Sequence, residues 1–254
     1  MEYISKEKTY EIIEVCLLAG RIMLKNGAET YRVEDTMTRI ANAYGVEYSD
    51  SFVTPTGIIF SLEGSEPTKT KLVRIIDRTT NLEKVVKVND VSRKISAGGL
   101  SIEQAYNLLS EIEKEKKTYS DWSQVLAAAL ASGCFLIMFQ GIWSDFLPAF
   151  IAGGAGCFCS IYFHRIVHIK FFAEFLAAFL VGLIAFAAVY LGFGKEVDKI
   201  IIGSVMPLVP GLLITNAVRD LMAGHLVSGI SKGAEAFLTA FAIGSGIAVL
   251  FVLL

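Results

Sequence analysis

Two periodicities alternate along the first 120 residues, and then both give way to long apolar runs. Tyr10, Ile13, Leu17, Gly20 and Leu24 fall at steps of three and four, which predicts a helix over 6–25. Asn26-Gly27 ends it, because glycine tolerates the left-handed conformation just past a helix. Val33, Met37, Ile40, Ala41 and Tyr44 form the apolar stripe of a second helix over 30–44, stopped by Gly45. The period then shortens to two. Val46, Tyr48 and Phe52 alternate with polar residues, as do Ile58, Phe60 and Leu62 after Thr54-Pro55-Thr56-Gly57. With a turn at Gly64-Ser65-Glu66-Pro67 and a third strand over 69–76, these predict a small antiparallel sheet. A helix over 81–97 ends at Gly98-Gly99. Ser101 and Gln104 have the spacing of a capping box, ahead of a helix carrying Ala105, Leu108, Leu109 and Ile112 on one face. Residues 1–120 therefore read as an α+β domain, with helices on a small three-stranded sheet.

Five apolar segments follow, at about 122–141, 146–163, 171–192, 198–217 and 234–254. Each is near the ~20 residues that a helix needs to cross a ~30 Å hydrocarbon core. They predict an all-α membrane bundle of five transmembrane helices over 121–254. Charge sharpens this division. Of the first 120 residues 35 are charged, against 13 of the following 134. That contrast excludes a single soluble domain, a disordered chain and a disulfide-stapled secreted fold. The net charge of −2 has no basic half, so nucleic acid is not an expected partner. Cys16, Cys134, Cys157 and Cys159 lack the spacing of a zinc or redox motif and read as packing residues. The polar start, with no apolar core region, predicts no cleavable signal peptide.

Sidedness follows from the basic residues. Lys114, Lys116 and Lys117 precede the first span, Arg165 and Lys170 separate spans two and three, and Arg219 and Lys232 separate spans four and five. Only Lys195 and Lys199 fall on the other side. Seven against two predicts a cytoplasmic N-terminal domain and a C-terminus outside. Ala152, Gly156 and Ser160 recur every four residues on span two, as Gly229 and Gly233 do before span five, a spacing that allows close helix approach.

Span four is the least regular. Pro207 and Pro210, followed by Gly211, remove backbone donors and crowd the preceding turn, so the helix is expected to kink or unwind there. Non-helical backbone at membrane depth lies buried in protein or faces water, and exposed half-helix ends can hold an ion or an anionic group. The break is thus either a substrate site or a structural kink. Beyond it, Asn216 and Asp220 share one helix face, and Thr215 and Arg219 share the next. Charge here is functional if buried in the bundle, and anchoring if at the surface. Glu174 is expected to pair with Lys170. Glu235 is either an ion-coupled carboxylate or a partner of Lys232. His164 and His168 have a metal-compatible spacing without an intervening carboxylate, and loop anchoring is the plainer reading. His225 could titrate near neutral pH. No metal or cofactor is expected, and neither a nucleophile elbow nor a phosphate-binding loop occurs.

Two stretches resemble a known family. Gly27-Ala28-Glu29-Thr30-Tyr31-Arg32-Val33-Glu34, continuing to Ala43-Tyr44-Gly45, is similar to the front signature of threonine/serine exporter (ThrE-type) proteins. Pro210-Gly211, Thr215-Asn216, Arg219-Asp220 and Ser228-Gly229 resemble that family's later membrane motif. The likeness covers nearly the whole chain in order. Full-length exporters of this type carry about ten spans. Stopping at five, the chain resembles the larger subunit of the split form (YjjP-like). That form works with a small second membrane subunit (YjjB-like). His225 stands where the family pattern has an acidic residue after Gly224, and a cation contact there would be lost when this histidine is neutral.

The resemblance implies secondary-active export of small polar solutes, amino acids such as threonine and serine or dicarboxylates such as succinate, across the inner membrane. Five spans cannot form a closed two-fold repeat, which points to a partner subunit or a homo-oligomer, and the expected mechanism is alternating access coupled to a proton gradient. Expected solute-binding and translocation residues are Pro207, Pro210, Gly211, Thr215, Asn216 and Arg219, and expected ion-coupling carboxylates are Asp220 and Glu235. Gly27, Thr30, Arg32 and Glu34 either meet the membrane half, partner or solute, or maintain the fold, with Gly27 for the turn and Thr30 for the cap. A membrane-anchored hydrolase and a non-transporting sensor or scaffold remain open alternatives.

Overall fold

The computed structural model describes residues 6–63, 68–115, 119–167, 169 and 171–253. The turn read at 64–67, together with Lys116, Lys117, His168 and Lys170, lies outside the described residues. Two compact units result. Met1–Lys116 groups with Leu212–Gly233, and Lys117–Gly211 groups with Ala234–Leu254. The sequence reading divides the chain once, at 120/121. The chain instead returns to its first unit for about twenty residues.

In the first unit, α1 (Lys6–Lys25) and α2 (Thr30–Ala43) precede β1 (Tyr48–Thr54), β2 (Gly57–Glu63) and β3 (Lys69–Arg74), followed by α3 (Leu82–Ser96) and α4 (Ile102–Lys114). The sheet is antiparallel in the order β1-β2-β3, with Val53 opposite Ile58 and Ile59 opposite Leu72. Alternation decides its faces. Ile58, Phe60 and Leu62 are buried, while Phe52, Ile59 and Leu72 point outward. The core is built from large side chains, among them Ile12, Ile13, Ile22, Met23, Met37, Ile40, Phe60, Ile95 and Leu109. Ser101 and Gln104 form the capping box that their spacing predicts. α9 (Gly211–Met222), from Leu212 onward, and the first turns of α10 (Leu226–Leu253) complete the unit. Residues 218–233, which lie between the fourth and fifth apolar segments, are therefore largely helical. Glycines at 224, 229 and 233 hide the helices from a propensity argument, and tertiary contacts outweigh that weak prior.

The second unit contains α5 (Asp121–Met138), α6 (Phe146–Ile166), α7 (Phe172–Tyr190), α8 (Val197–Val205) and the rest of α10. Its core mixes alanines with larger aliphatics: Ala149, Ala152, Ala178 and Ala185 are buried with Leu136, Val181, Ile200 and Ile201. A Cβ on Gly156 would lie 2.5 Å from Val181 Cγ2, and one on Gly153 would lie 1.9 Å from Ser132 Oγ, so these helices approach too closely for side chains at those positions. Buried Asp145 accepts the amides of Lys195 and Glu196, each at 2.9 Å. Glu174 binds His164 at 3.0 Å, a contact its sequence neighbours do not suggest. Among the described residues, four helices are long and apolar enough to cross a membrane: Asp121–Met138, Trp143–Ile166, Phe172–Tyr190 and Leu226–Leu253. A fifth crossing exists if the broken pair Val197–Leu208 and Gly211–Met222 counts as one.

Candidate functional site

The break in span four is real and local. α8 ends at Val205, Met206–Leu208 forms a single 3-10 turn containing Pro207, and Val209 is extended. Pro210 follows, and α9 starts afresh at Gly211. α9 then presents Asn216, Ala217 and Asp220 inward and leaves Thr215, Val218 and Arg219 exposed. This is the inverse of a helix on a soluble core, where the apolar face goes in. Gly224, at φ +87°, ends α9. The His225 N–H reaches back to the Asp220 carbonyl at 2.9 Å and Gly224 N–H to Leu221, as a left-handed C-terminal cap requires. A Cβ on Gly229 would lie 3.0 Å from the Leu221 amide nitrogen and nearer still to the Leu221 side chain, so only glycine lets α10 start this close to α9.

α2 receives the inward face of α9. Gly27, at φ +93°, turns the chain between α1 and α2 and offers its carbonyl to Asn216 Nδ2 at 2.9 Å. Thr30 is the first residue of α2, and the capping role expected for it is not what the structure holds. Glu29 occupies the N-cap position without a side-chain capping bond. The Thr30 N–H instead donates to Asp220 Oδ1 at 3.0 Å and its hydroxyl to Asp220 Oδ2 at 2.9 Å. A carboxylate 190 residues away in sequence thus satisfies an orphan amide at the positive end of the helix. Lys232 Nζ closes the group, at 2.7 Å from Asp220 Oδ2 and 3.2 Å from Thr30 Oγ1. Asp220 is wholly buried and Lys232 is 3% exposed.

A second pair flanks the first. Glu29 accepts from Arg219 Nη1 at Oε1, 2.6 Å, and from Arg32 Nη1 at Oε2, 3.3 Å. Burial pushes the Glu29 carboxyl up, but its backbone hydrogen bond, the Arg219 bond and the charges of Arg32 and Arg219 outweigh burial and hold it below the ordinary value. Glu34 is the opposite case. Burial raises it and the charge of Asp220 adds to that, against the Val53 amide at 2.9 Å and the charge of His225, whose Nδ1 lies 3.7 Å away. Buried Ser228 donates its hydroxyl to the Val53 carbonyl at 3.0 Å.

Of the residues singled out in the sequence, Gly27, Thr30, Arg32, Glu34, Asn216, Arg219 and Asp220 come together here. Thr215 lies on the exposed side of α9, Pro207, Pro210 and Gly211 define the break, and half-buried Glu235 lies in α10. Sequence reasoning assigned no site role to Glu29, Ser228 or Lys232. The first two sit inside the quoted motifs. Lys232 stands alone between Gly229 and an apolar run, and its charge count toward sidedness concealed a buried partner. No group of three or more metal-binding side chains occurs among the described residues.

The family model described as "Putative threonine/serine exporter" (ThrE) matches residues 14–254. Over 238 residues the chain is 24% identical to a Mycobacterium tuberculosis protein named "Probable threonine/serine exporter", covering 91% of this chain and 44% of that protein. It is 25% identical over 246 residues to "Probable succinate transporter subunit YjjP" of Klebsiella aerogenes, covering 95% of this chain and 93% of that one. It is 26% identical over 244 residues to "Pheromone-regulated membrane protein 10" of Debaryomyces hansenii, covering 89% of this chain and 23% of that protein. The chain thus spans less than half the length of the mycobacterial relative and nearly all of the Klebsiella one. No solved structure matches it significantly.

Proposed function

The chain belongs to the threonine/serine exporter family and is a multi-pass membrane protein, and from that premise we propose that it is one subunit of a secondary-active exporter of small polar metabolites. The solutes in view are amino acids such as threonine and serine, or dicarboxylates such as succinate. A small second membrane subunit, or another copy of this chain, completes the path. The N-terminal domain is cytoplasmic, the membrane is the inner one and the C-terminus lies outside, a reading supported by the seven-to-two excess of Lys and Arg on one side.

One observation carries the mechanism: a wholly buried Asp220 is held by Lys232 and by the first residue of α2. Such a pair is expensive to bury, and removing one charge costs about 3–5 kcal/mol because the other is left uncompensated. A proton on Asp220 removes that charge. Lys232 then loses its ionic partner, and the charge-assisted bond to the first amide of α2 weakens to a neutral one. Protonation of one carboxylate thereby loosens α2 from α9 and α10, which is what coupling to a proton gradient needs. Glu235, three residues beyond Lys232, is the second coupling carboxylate. Of the solute-contact residues, Arg219 keeps an accessible guanidinium. Asn216 supports the site from within, its amide already donating to Gly27.

The test is efflux from vesicles loaded with labelled succinate, threonine or serine, with this chain alone and with a small partner subunit. Efflux that responds to an imposed pH gradient and is abolished by Asp220→Asn is expected. Normal, pH-responsive efflux by Asp220→Asn at normal expression would sink the coupling role.

A further inference from the structure

Three charges meet on the accessible side of this site and do not cancel. Glu29 is 6% exposed, and its two oxygens are each taken by one arginine. The side chains of Arg219 and Arg32 are 56% and 39% exposed, and the trio carries one net positive charge. Each guanidinium meets Glu29 through Nη1 alone, so most of its fork of five donors is left for solvent or a ligand. Two planar forks beside one buried anchor is an arrangement suited to oxygen anions, because a carboxylate accepts two parallel N–H bonds from one guanidinium. Nothing comparable is offered to a cation. The one carboxylate within the trio is buried, both its oxygens are engaged, and the Arg219 and Arg32 charges keep it anionic and bound to them. An ammonium group entering here meets two guanidiniums first.

We propose that Arg32 and Arg219, aligned by Glu29, form a recognition site for solute carboxylates, and that it selects a small dicarboxylate over a zwitterionic amino acid. The proposal rests on the transporter reading above and specifies the solute class of that same site. Arg32 and Arg219 touch the solute. Glu29 is a positioning residue: it fixes the spacing and tilt of both forks. Lysine at either position would keep the charge and lose the bidentate geometry.

Isothermal titration of the full chain in lipid nanodiscs with succinate and with threonine reads this directly. Succinate is expected to bind at least about tenfold more tightly than threonine, since a second carboxylate replaces an ammonium beside a net positive charge. Arg32→Gln and Arg219→Gln should each weaken succinate at least about tenfold, and the two lysine variants by less. In vesicles, Glu29→Gln should raise the KM for succinate while the maximal rate is kept, a split that a merely structural defect does not produce. The lysine variants guard against misfolding, because they leave Glu29 paired. Succinate affinity within about twofold of the parent in both Gln variants, with unchanged thermal midpoints, overturns the site. Threonine binding as tightly as succinate overturns the selectivity. Either result alongside normal parent efflux refutes this inference alone. Absence of efflux of every solute from the parent, with and without its partner, refutes the transporter reading instead.

Discussion

The two units differ in how much of their packing comes from large side chains and how much from small ones. The first buries Phe60, Met37 and a set of Ile and Leu side chains, and then buries a carboxylate and an ammonium as well. The second packs alanines and close-approach glycines among fewer large side chains such as Leu136 and Ile200, and its wholly buried carboxylate among the described residues, Asp145, is met by backbone amides and the Ser144 hydroxyl. The difference has a physical cause. Water drives large apolar side chains together. In lipid the tails are as apolar as leucine, so helices associate through close approach and small residues. Charge in the first unit is wired between segments nearly 200 residues apart. In the second, Arg165 pairs with Asp121 and Asp145 meets the amides of Lys195 and Glu196, partners nearer in sequence. The contrast teaches where to look for function: a buried ion pair that simple packing does not require.

The largest expected effect separates these principles. Lys232→Met should destabilise the first unit by about 3–5 kcal/mol, as Asp220 is left without its cation. Asp220→Asn/Lys232→Met should recover most of that loss, read as the thermal midpoint in detergent or as amide exchange along α9. If the double variant is as unstable as the single one, charge is not what joins these elements. Asp145→Ala probes the second unit and should cost less, about 1–3 kcal/mol for amides left unpaired. Overpacking comes next. Gly156→Leu must displace Val181 and is expected to cost about 1–3 kcal/mol in the second unit, with α9 exchange unchanged. Slowed or accelerated exchange in α9 would show that the two units are not energetically separate.

Acid titration should give the smallest effect, with two signs. Glu34 has a raised carboxyl, so its folded form binds a proton more readily than its unfolded form. As pH falls toward that value the first unit gains a little stability, and Glu34→Gln should remove the gain. Glu29 is depressed. The stability it contributes is present above the ordinary carboxylate value near ~4.3 and is lost as pH falls through its lower one. Melting curves of the full chain at stepped pH check both. A first unit that only loses stability from neutral pH downward would contradict the Glu34 assignment.

Much of the fold was legible because local rules agree with tertiary ones there. Period 3.6 in α1, α2 and α4, period two in β2, the Ser101 capping box and the Pro207–Gly211 break each appear where the residues predict them. The α9–α10 turn was less legible. Its glycines lower helix propensity, and its apolar residues face outward, so a soluble-core pattern does not describe it. In the site, the sequence leaves Thr30 either as a cap or as a contact to another part of the assembly. Its hydroxyl turns to Asp220, a partner that no local window contains.

By itself, the sequence determined the division into a charged front and an apolar back, most of the elements and the helix break, because composition and periodicity are local quantities, and two motif stretches carried the resemblance to the family. Only the tertiary structure decided that Leu212–Gly233 returns to the first unit, that Lys232 is buried on Asp220, and that Glu29 gathers Arg32 and Arg219. These are long-range pairings. An ion pair is specified by two side chains meeting at 2.7 Å, and nothing in either residue's own neighbourhood states which distant partner it will meet.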